Sequence, residues 1–118
     1  MKPYALIITG NHEQARNYQK ALGKVGFQVE LVTTGARAQV QLTFTTPKLI
    51  VLDVQLPDIP GEIVLRQINA CQRLIESHLI LLSAGQRRLG EVKRPAPLLV
   101  TDRAISAADL ALLASGMS

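Results

Sequence analysis

Asp53 is the residue of this chain whose surroundings point most clearly to chemistry. It ends the apolar run LIVLD at residues 49–53, and Pro57 and Gly61 follow it by four and eight residues. A carboxylate at the end of a buried strand has a partner or a task, because an isolated buried charge is costly. The Pro and Gly predict a stiff turn that can hold the backbone carbonyl of Gln55 toward Asp53. The alternative is an aspartate that only caps this turn.

Other short polar segments follow apolar runs elsewhere in the chain. Thr9-Gly10-Asn11 comes after the first run, Thr33-Thr34 after the second and Ser83 after the fourth, and residues 101–103 (TDR) come after the fifth. A glycine turn that opens a helix offers backbone amides to an anion. These segments are therefore the candidate binding residues beside Asp53.

Hydrophobic periodicity predicts the elements that position these segments. Near-continuous apolar runs are typical of parallel strands covered on both faces, and a spacing of three or four is typical of amphipathic helices. The predicted strands are 4–9, 27–32, 48–53, 78–83 and 97–101. The predicted helices are one that Asn11 caps and Gly26 stops, one over 36–44, one from 62 to about 74, and one from 106 through 113, where Ser106 and Asp109 form a capping pair.

Alternation of five strands with helices predicts a flavodoxin-like α/β fold, a doubly wound parallel sheet in a three-layer sandwich. The carboxyl ends of parallel strands meet at one edge, where such sheets bind their ligands. A chain of 118 residues buries one core, so we expect one domain over residues 1–118.

Composition narrows the classes of function. Thirteen basic against nine acidic residues leave a net charge of +4, which is short of the dense basic stripe of a nucleic-acid-binding protein. The single Cys71 forms no internal disulfide and no Cys-based zinc site, and it fits a reducing cytoplasm. No apolar run reaches the length of about 20 residues that a membrane span needs.

The segment LIVLDVQLPDIPG at 49–61 resembles the receiver domain of bacterial response regulators, in which the phosphorylated aspartate ends the third strand. Asp53 takes that place. Ser83, thirty residues on, falls on the family's phosphoryl-contacting Ser or Thr, and Ala84 follows it as is usual there; ALGKVGF at 21–27 is similar to the end of the family's first helix. The resemblance implies two-component signalling, with Asp53 receiving a phosphoryl group from a phosphohistidine or a small phosphodonor, assisted by Mg²⁺, a Lys and a hydroxyl.

Two elements of the family's site are replaced in this chain. The acidic pair that holds Mg²⁺ falls on Thr9 and Gly10, so Asp53, the Gln55 carbonyl and the Thr9 hydroxyl supply a single charge. Since Mg²⁺ prefers carboxylate ligands, we expect at best weak Mg²⁺ binding and no other cofactor. The family's Lys falls on Arg103 if the alignment follows Ser106, or on Thr101 if it follows the strand end. Arg103 would form a permanent ion pair with Asp53 and mimic part of the Lys role.

The segment AGQRRLGEVKRPAP at 84–97 has too few apolar residues for a full amphipathic helix, so we expect the family's fourth helix to be shortened or missing. Two interpretations of this basic segment stay open: a solubilising loop and a docking edge for an acidic partner. The family's aromatic residue in strand five is absent, since only Leu98 or Val100 can take its place. In receiver-like proteins this face forms the dimer or output surface, so a homodimer through strand five and the last helix is a further expectation.

The sequence therefore predicts an atypical receiver that is not an enzyme, a protein-interaction module that is phosphorylated weakly or not at all. Its partner would be a histidine kinase or an output protein. The first alternative is a working phosphoacceptor that uses Asp53 with Ser83, Ala84 and Arg103.

A second alternative is FMN binding, because TGNHE at 9–13 is similar to the flavodoxin phosphate loop. The aromatic residues argue against it, since all of them fall in predicted strands or helices: Tyr4, Tyr18, Phe27 and Phe44. Nucleic-acid binding through the basic segment is a third and less favoured hypothesis. The ending ALLASGMS favours a piece of a larger protein.

Overall fold

Strands and helices alternate along the chain in a computed structural model that describes residues 2–83 and 98–116. The strands are β1 Tyr4–Ile8, β2 Gln28–Val32, β3 Leu49–Asp53, β4 His78–Leu82 and β5 Leu98–Thr101. The helices are α1 His12–Lys24, α2 Gly35–Phe44, α3 Gly61–Ala70 and α4 Ala107–Ser115, and a short 3₁₀ turn spans Gln72–Leu74. Each predicted strand is found, within one residue at either end.

All strand pairs are parallel, and the order in the sheet is β2-β1-β3-β4-β5. One core cluster joins one face of the sheet to α2 and α3, and a second joins the other face to α1 and α4. Every residue of the central strand β3 is buried, as its continuous apolar run predicts. The flavodoxin-like doubly wound prediction is confirmed.

Side-chain caps begin three of the helices. The Asn11 side chain accepts from the Gln14 amide at 3.0 Å, the Thr34 hydroxyl from the Arg37 amide at 3.2 Å, and the Ser106 hydroxyl from the Asp109 amide at 3.1 Å. Each bond satisfies an N–H group that the first helical turn leaves unpaired. The predicted caps at Asn11 and Ser106 are therefore present, and the cap at Thr34 starts α2 one residue earlier than predicted.

The third predicted helix is shorter than expected. It ends at Ala70 instead of continuing to Leu74, because Cys71 adopts extended backbone angles before the 3₁₀ turn. Leu74 is nevertheless fully buried, which explains why the apolar pattern extends that far. Cys71 is a free thiol.

The predicted shortening of the family's fourth helix concerns residues 84–97, which lie outside the described residues. The same holds for Ala84 and for the charged residues of that segment, Arg87, Arg88, Glu91, Lys93 and Arg94. Within residues 2–83 and 98–116, no helix is both long and apolar enough to cross a bilayer.

Candidate functional site

The carboxyl edge of the sheet brings the predicted site residues together. Asp53 is the last residue of β3 and its side chain is fully buried. Thr9 directly follows β1, which pairs with β3, and Arg103 lies two residues after β5. Parallel strands thus place residues from three distant parts of the chain at one point.

Four donors surround the Asp53 carboxylate. Arg103 donates from Nε to Oδ1 at 2.8 Å and from Nη2 to Oδ2 at 3.0 Å. The Thr9 hydroxyl donates to Oδ2 at 3.0 Å, and the Gln55 amide donates to Oδ1 at 2.9 Å. Each oxygen therefore accepts two hydrogen bonds, and the two-pronged guanidinium contact is the strong form of a carboxylate ion pair. The charge of the buried Asp53 is balanced within the chain.

Gln55 contacts both members of the ion pair. Its amide N–H donates to Asp53 Oδ1 and its side-chain Oε1 accepts from Arg103 Nη1, while the role of its backbone carbonyl toward a metal stays a prediction. Gln55 thereby supports the ion pair at both partners. Among the described residues there is also no group of three or more His, Cys, Asp or Glu side chains placed to hold a metal ion.

Two α1 residues hold the loop that carries Arg103. Gln14 Nε2 donates to the Arg103 carbonyl at 2.5 Å and to the Tyr18 hydroxyl at 2.6 Å, and that hydroxyl donates to the Ile105 carbonyl at 2.6 Å. Burial raises the pKa of Tyr18 to about 12, and the negative charge of Asp53 acts in the same direction, although the hydrogen bond from Gln14 opposes them. Tyr18 is therefore a neutral donor at physiological pH, and the backbone of the Arg103 loop is anchored to α1.

The loop between β3 and α3 closes over the same edge. The Asp58 carboxylate accepts from the Gly35 and Ala36 amides at 2.8 and 2.9 Å, at the start of α2. These backbone hydrogen bonds hold the pKa of Asp58 below its usual value. A Cβ added at Gly35 would lie 2.2 Å from Ile59 Cγ1, so Gly35 is what lets this loop approach α2.

The turn at the acidic-pair position is packed against the same loop. A Cβ added at Gly10 would lie 2.9 Å from Pro57 Cδ, which is shorter than the contacts that real Cβ atoms make. Thr9 is fully buried and its hydroxyl is engaged with Asp53. As folded here, the backbone leaves no room for a side chain at residue 10 unless Pro57 shifts.

Ser83 lies beside this cluster without joining it. It follows Leu82, the register partner of Asp53, and its amide donates to the Thr101 carbonyl at 2.9 Å. Its hydroxyl is buried, with the residue only 4% exposed, and has no hydrogen-bond partner among the described residues. The carbonyl of Thr101, the other candidate for the family's Lys position, thus accepts from the Ser83 amide, while Arg103 contacts Asp53.

The sequence pointed to Thr9, Asp53, Gln55 and Arg103, but not to Gln14, Tyr18 or Asp58. Gln14 and Tyr18 had been assigned only to a helix. Asp58 carried one signal, since a carboxylate in a turn commonly caps a nearby helix, but α2 is more than twenty residues away in sequence. Only the fold brings these pairs together.

A doubly wound five-stranded sheet with a buried aspartate at the end of its middle strand defines the receiver class. The chain belongs to the response regulator receiver domain family, whose model matches residues 5–92. This confirms the predicted family and favours it over the flavodoxin alternative.

A curated relative agrees with this assignment. The transcriptional regulatory protein GltR of Pseudomonas aeruginosa is 34% identical over 80 residues, which cover 68% of this chain. The matched part is 33% of that protein, so the chain matches about one third of its relative's length.

Solved structures share the fold over the whole chain. A CheY-like receiver domain from Methylobacillus flagellatus superposes with a TM-score of 0.81 at 21% identity, and the chemotaxis response regulator CheY4 of Vibrio cholerae with 0.83 at 13% identity, each over 100% of both chains. The receiver domain of the sensor histidine kinase PA1611 from Pseudomonas aeruginosa, described with a magnesium ion in its active-site cleft, superposes with 0.80 at 20% identity over 96% of this chain and 94% of that one.

Proposed function

We propose that this receiver domain acts in two-component signalling as a protein-interaction module whose state does not depend on phosphorylation of Asp53. The observation that carries the proposal is the two-pronged contact between Arg103 and the fully buried Asp53, at 2.8 and 3.0 Å. A carboxylate attacks a phosphodonor through a free oxygen lone pair. Here both oxygens are already engaged by two donors each.

The charges around Asp53 also argue against efficient phosphoryl transfer. Such transfer depends on a metal ion that neutralises the developing charge, and Mg²⁺ is held through carboxylates. PA1611 is described with this ion in its cleft. In this chain Thr9 and Gly10 stand where the resemblance puts the acidic pair, and the guanidinium of Arg103 already pairs with the Asp53 carboxylate. A second cation beside Arg103 would be repelled, so Mg²⁺ binding is weak at best.

Intact-mass measurement after incubation with acetyl phosphate and Mg²⁺ tests this proposal. We expect no gain of a phosphoryl group in the wild-type chain. The double variant Thr9→Asp/Arg103→Lys adds a carboxylate and removes the two-pronged guanidinium contact to Asp53. In this variant we expect Mg²⁺ to raise the midpoint of thermal unfolding. A wild-type mass gain that disappears in Asp53→Asn would overturn the proposal.

One observation favours the alternative in which Asp53 accepts a phosphoryl group slowly. The buried Ser83 hydroxyl, without a hydrogen-bond partner among the described residues, lies at the end of the strand next to β3. A buried unpaired hydroxyl is costly, and a phosphoryl oxygen would satisfy it. Under this alternative Arg103 would have to leave one oxygen of Asp53 and stabilise the product, and Ala84 would offer its amide.

The partner under this proposal is a histidine kinase or an output protein in the cytoplasm, where the free Cys71 stays reduced. Self-association through β5 and α4 is a further part of the proposal. Val100 on β5 and Leu112 on α4 are 51% and 73% exposed, and under this part of the proposal both side chains would lie in the contact.

A further inference from the structure

A groove runs along the surface between α1 and α4, away from the Asp53 carboxylate. Its cavity measures about 660 Å³. Its aliphatic lining is made mostly of small side chains, namely Ala21, Val25, Ile105, Ala107, Ala108 and Ala111. This volume lies within the range of roughly 300–1,000 Å³ typical of sites for small organic molecules.

The rim of the groove carries unpaired positive charge. Lys20 and Lys24 line it one helical turn apart, both are exposed, and neither forms an ion pair or hydrogen bond with any described residue. Glu13 is the acidic residue among those lining the groove, and it lies two turns away from Lys20 along α1. Two ammonium groups above an apolar trough complement a molecule with an anionic head and an apolar body.

The floor of the groove is joined to the Asp53 site. Gln14 and Tyr18 line the groove and also hold the carbonyls of Arg103 and Ile105. The guanidinium of the same Arg103 forms the ion pair with the Asp53 carboxylate. A molecule that moves Gln14 therefore moves the loop from which the Arg103 side chain reaches Asp53.

We propose that the groove between α1 and α4 binds a small amphipathic carboxylate, and that its occupancy is transmitted to the Asp53–Arg103 pair through Gln14 and Tyr18. The hydrocarbon chain of this ligand lies over the alanines of the groove, and its carboxylate lies between Lys20 and Lys24. The coupling rests on the proposed function at one point, the presence of the ion pair in solution, whereas binding to the groove is measured independently of it.

Binding is tested on the full chain with octanoate below its micelle concentration, followed by backbone amide NMR. We expect saturable shifts at residues 13–25 and 105–111. Octylammonium, with the same chain and the opposite charge, should bind at least about tenfold more weakly, and Lys20→Gln/Lys24→Gln should weaken octanoate by a similar factor. Lys2→Gln/Lys48→Gln, which changes two exposed lysines elsewhere, is the matched control. Equal binding of both amphiphiles, or no saturable binding, would overturn the proposed site.

Coupling is read from the side-chain Nε–H resonance of Arg103 in the same titration. We expect it to shift with the groove amides in the wild type, and to stay fixed in Gln14→Ala when octanoate is raised until the groove amides of that variant reach their own plateau. An Arg103 resonance that never moves overturns the coupling even if octanoate binds. Amides of residues 13–25 on α1 that change with protein concentration, without octanoate, would show a second copy of the chain in the groove and overturn the proposed ligand, whereas association through β5 and α4 alone would leave them unchanged.

Discussion

Arg103 supplies the positive charge that balances the buried carboxylate of Asp53. A lysine is a point charge on a flexible stem, whereas a guanidinium is a rigid fork that engages both carboxylate oxygens at once. The side chain of Arg103 is 31% exposed and that of Asp53 is fully buried, so the carboxylate depends on Arg103 much more than Arg103 depends on it.

Replacing Arg103 should therefore cost stability. In Arg103→Ala we expect the free energy of unfolding to fall by about 2–4 kcal/mol at neutral pH, below the full cost of breaking a buried pair because Arg103 is partly solvated. Urea unfolding measures the loss. Arg66→Ala removes an exposed arginine from α3 and should change stability by less than about 0.5 kcal/mol. Equal effects of the two substitutions would contradict a structural role for the ion pair.

Tyr18 gives a prediction at alkaline pH. Its pKa in the folded chain is about 12, against 10.0 for an unperturbed tyrosine. Between these values the unfolded chain loses a proton that the folded chain keeps, so the contribution of Tyr18 to stability is constant below pH 10 and falls as the pH rises toward 12, by up to about 2 kcal/mol. Urea unfolding over this pH range should show the fall. Tyr18→Phe should show a smaller one, from Tyr4 alone, whose pKa is also raised.

The sequence predicted which residues lie in the site better than it predicted which of their atoms make contact. The resemblance put either Arg103 or Thr101 at the family's Lys position, and an ion pair with Asp53 was expected only if Arg103 held that position. Gln55 was expected beside Asp53, but the contacts of its amide N–H and its side chain were not predicted, since the direction of a peptide unit in a turn depends on the packing around it. No local pattern indicates that Gln14 holds a carbonyl 89 residues away.

Two glycines, one within α1 and one just before it, differ in the space available for an added side chain. Gly23 lies inside α1 with nothing within 4 Å of an added Cβ, whereas Gly10 lies against Pro57 at the turn before the same helix. The close approach at Gly10 brings the β1–α1 turn against the β3–α3 loop.

These two glycines make a matched pair for substitution. Gly23→Ala should stabilise the chain by about 0.5–1 kcal/mol, because alanine loses less backbone freedom in a helix. Gly10→Ala should destabilise it by about 1–2 kcal/mol, because the Pro57 ring has to shift. Thermal unfolding of both variants decides the point. A stabilising Gly10→Ala would mean that the turn can relax and that an acidic residue is compatible with residue 10.

Most element positions followed from periodicity and capping chemistry. The strands β1, β3 and β4 were located within a residue because their apolar runs are nearly continuous, and α1 and α4 begin where Asn11 and Ser106 indicate. The error at α3 has a physical reason, since Leu74 continues the apolar pattern while the backbone at Cys71 has already left the helix. Burial alone does not distinguish a helix from the turn that follows it.

At the scale of the whole molecule, the edge of the sheet at β5 carries an exposed apolar side chain. The strands β1, β3 and β4 lie inside the sheet, whereas β5 closes one edge with its Val100 side chain about half exposed. An edge strand with apolar side chains is a natural place for association.

If two copies associate through β5 and α4, Val100→Glu and Leu112→Glu should each shift the population toward monomer in sedimentation velocity at fixed protein concentration. Val40→Glu is the control, because Val40 on α2 is 60% exposed at the other edge of the sheet. A monomeric wild-type chain, or an equal effect of Val40→Glu, would argue against this interface.

The β3–α3 loop has a kinetic consequence for any phosphodonor. Pro57 rests on Gly10, Ile59 on Gly35, and Asp58 on the first amides of α2, so this loop opens only when several contacts separate together. Under the alternative in which Asp53 accepts a phosphoryl group, we expect labelling of the buried Asp53 to follow the rate of this breathing motion. At high concentration, donors as different as acetyl phosphate and phosphoramidate would reach one common maximum rate.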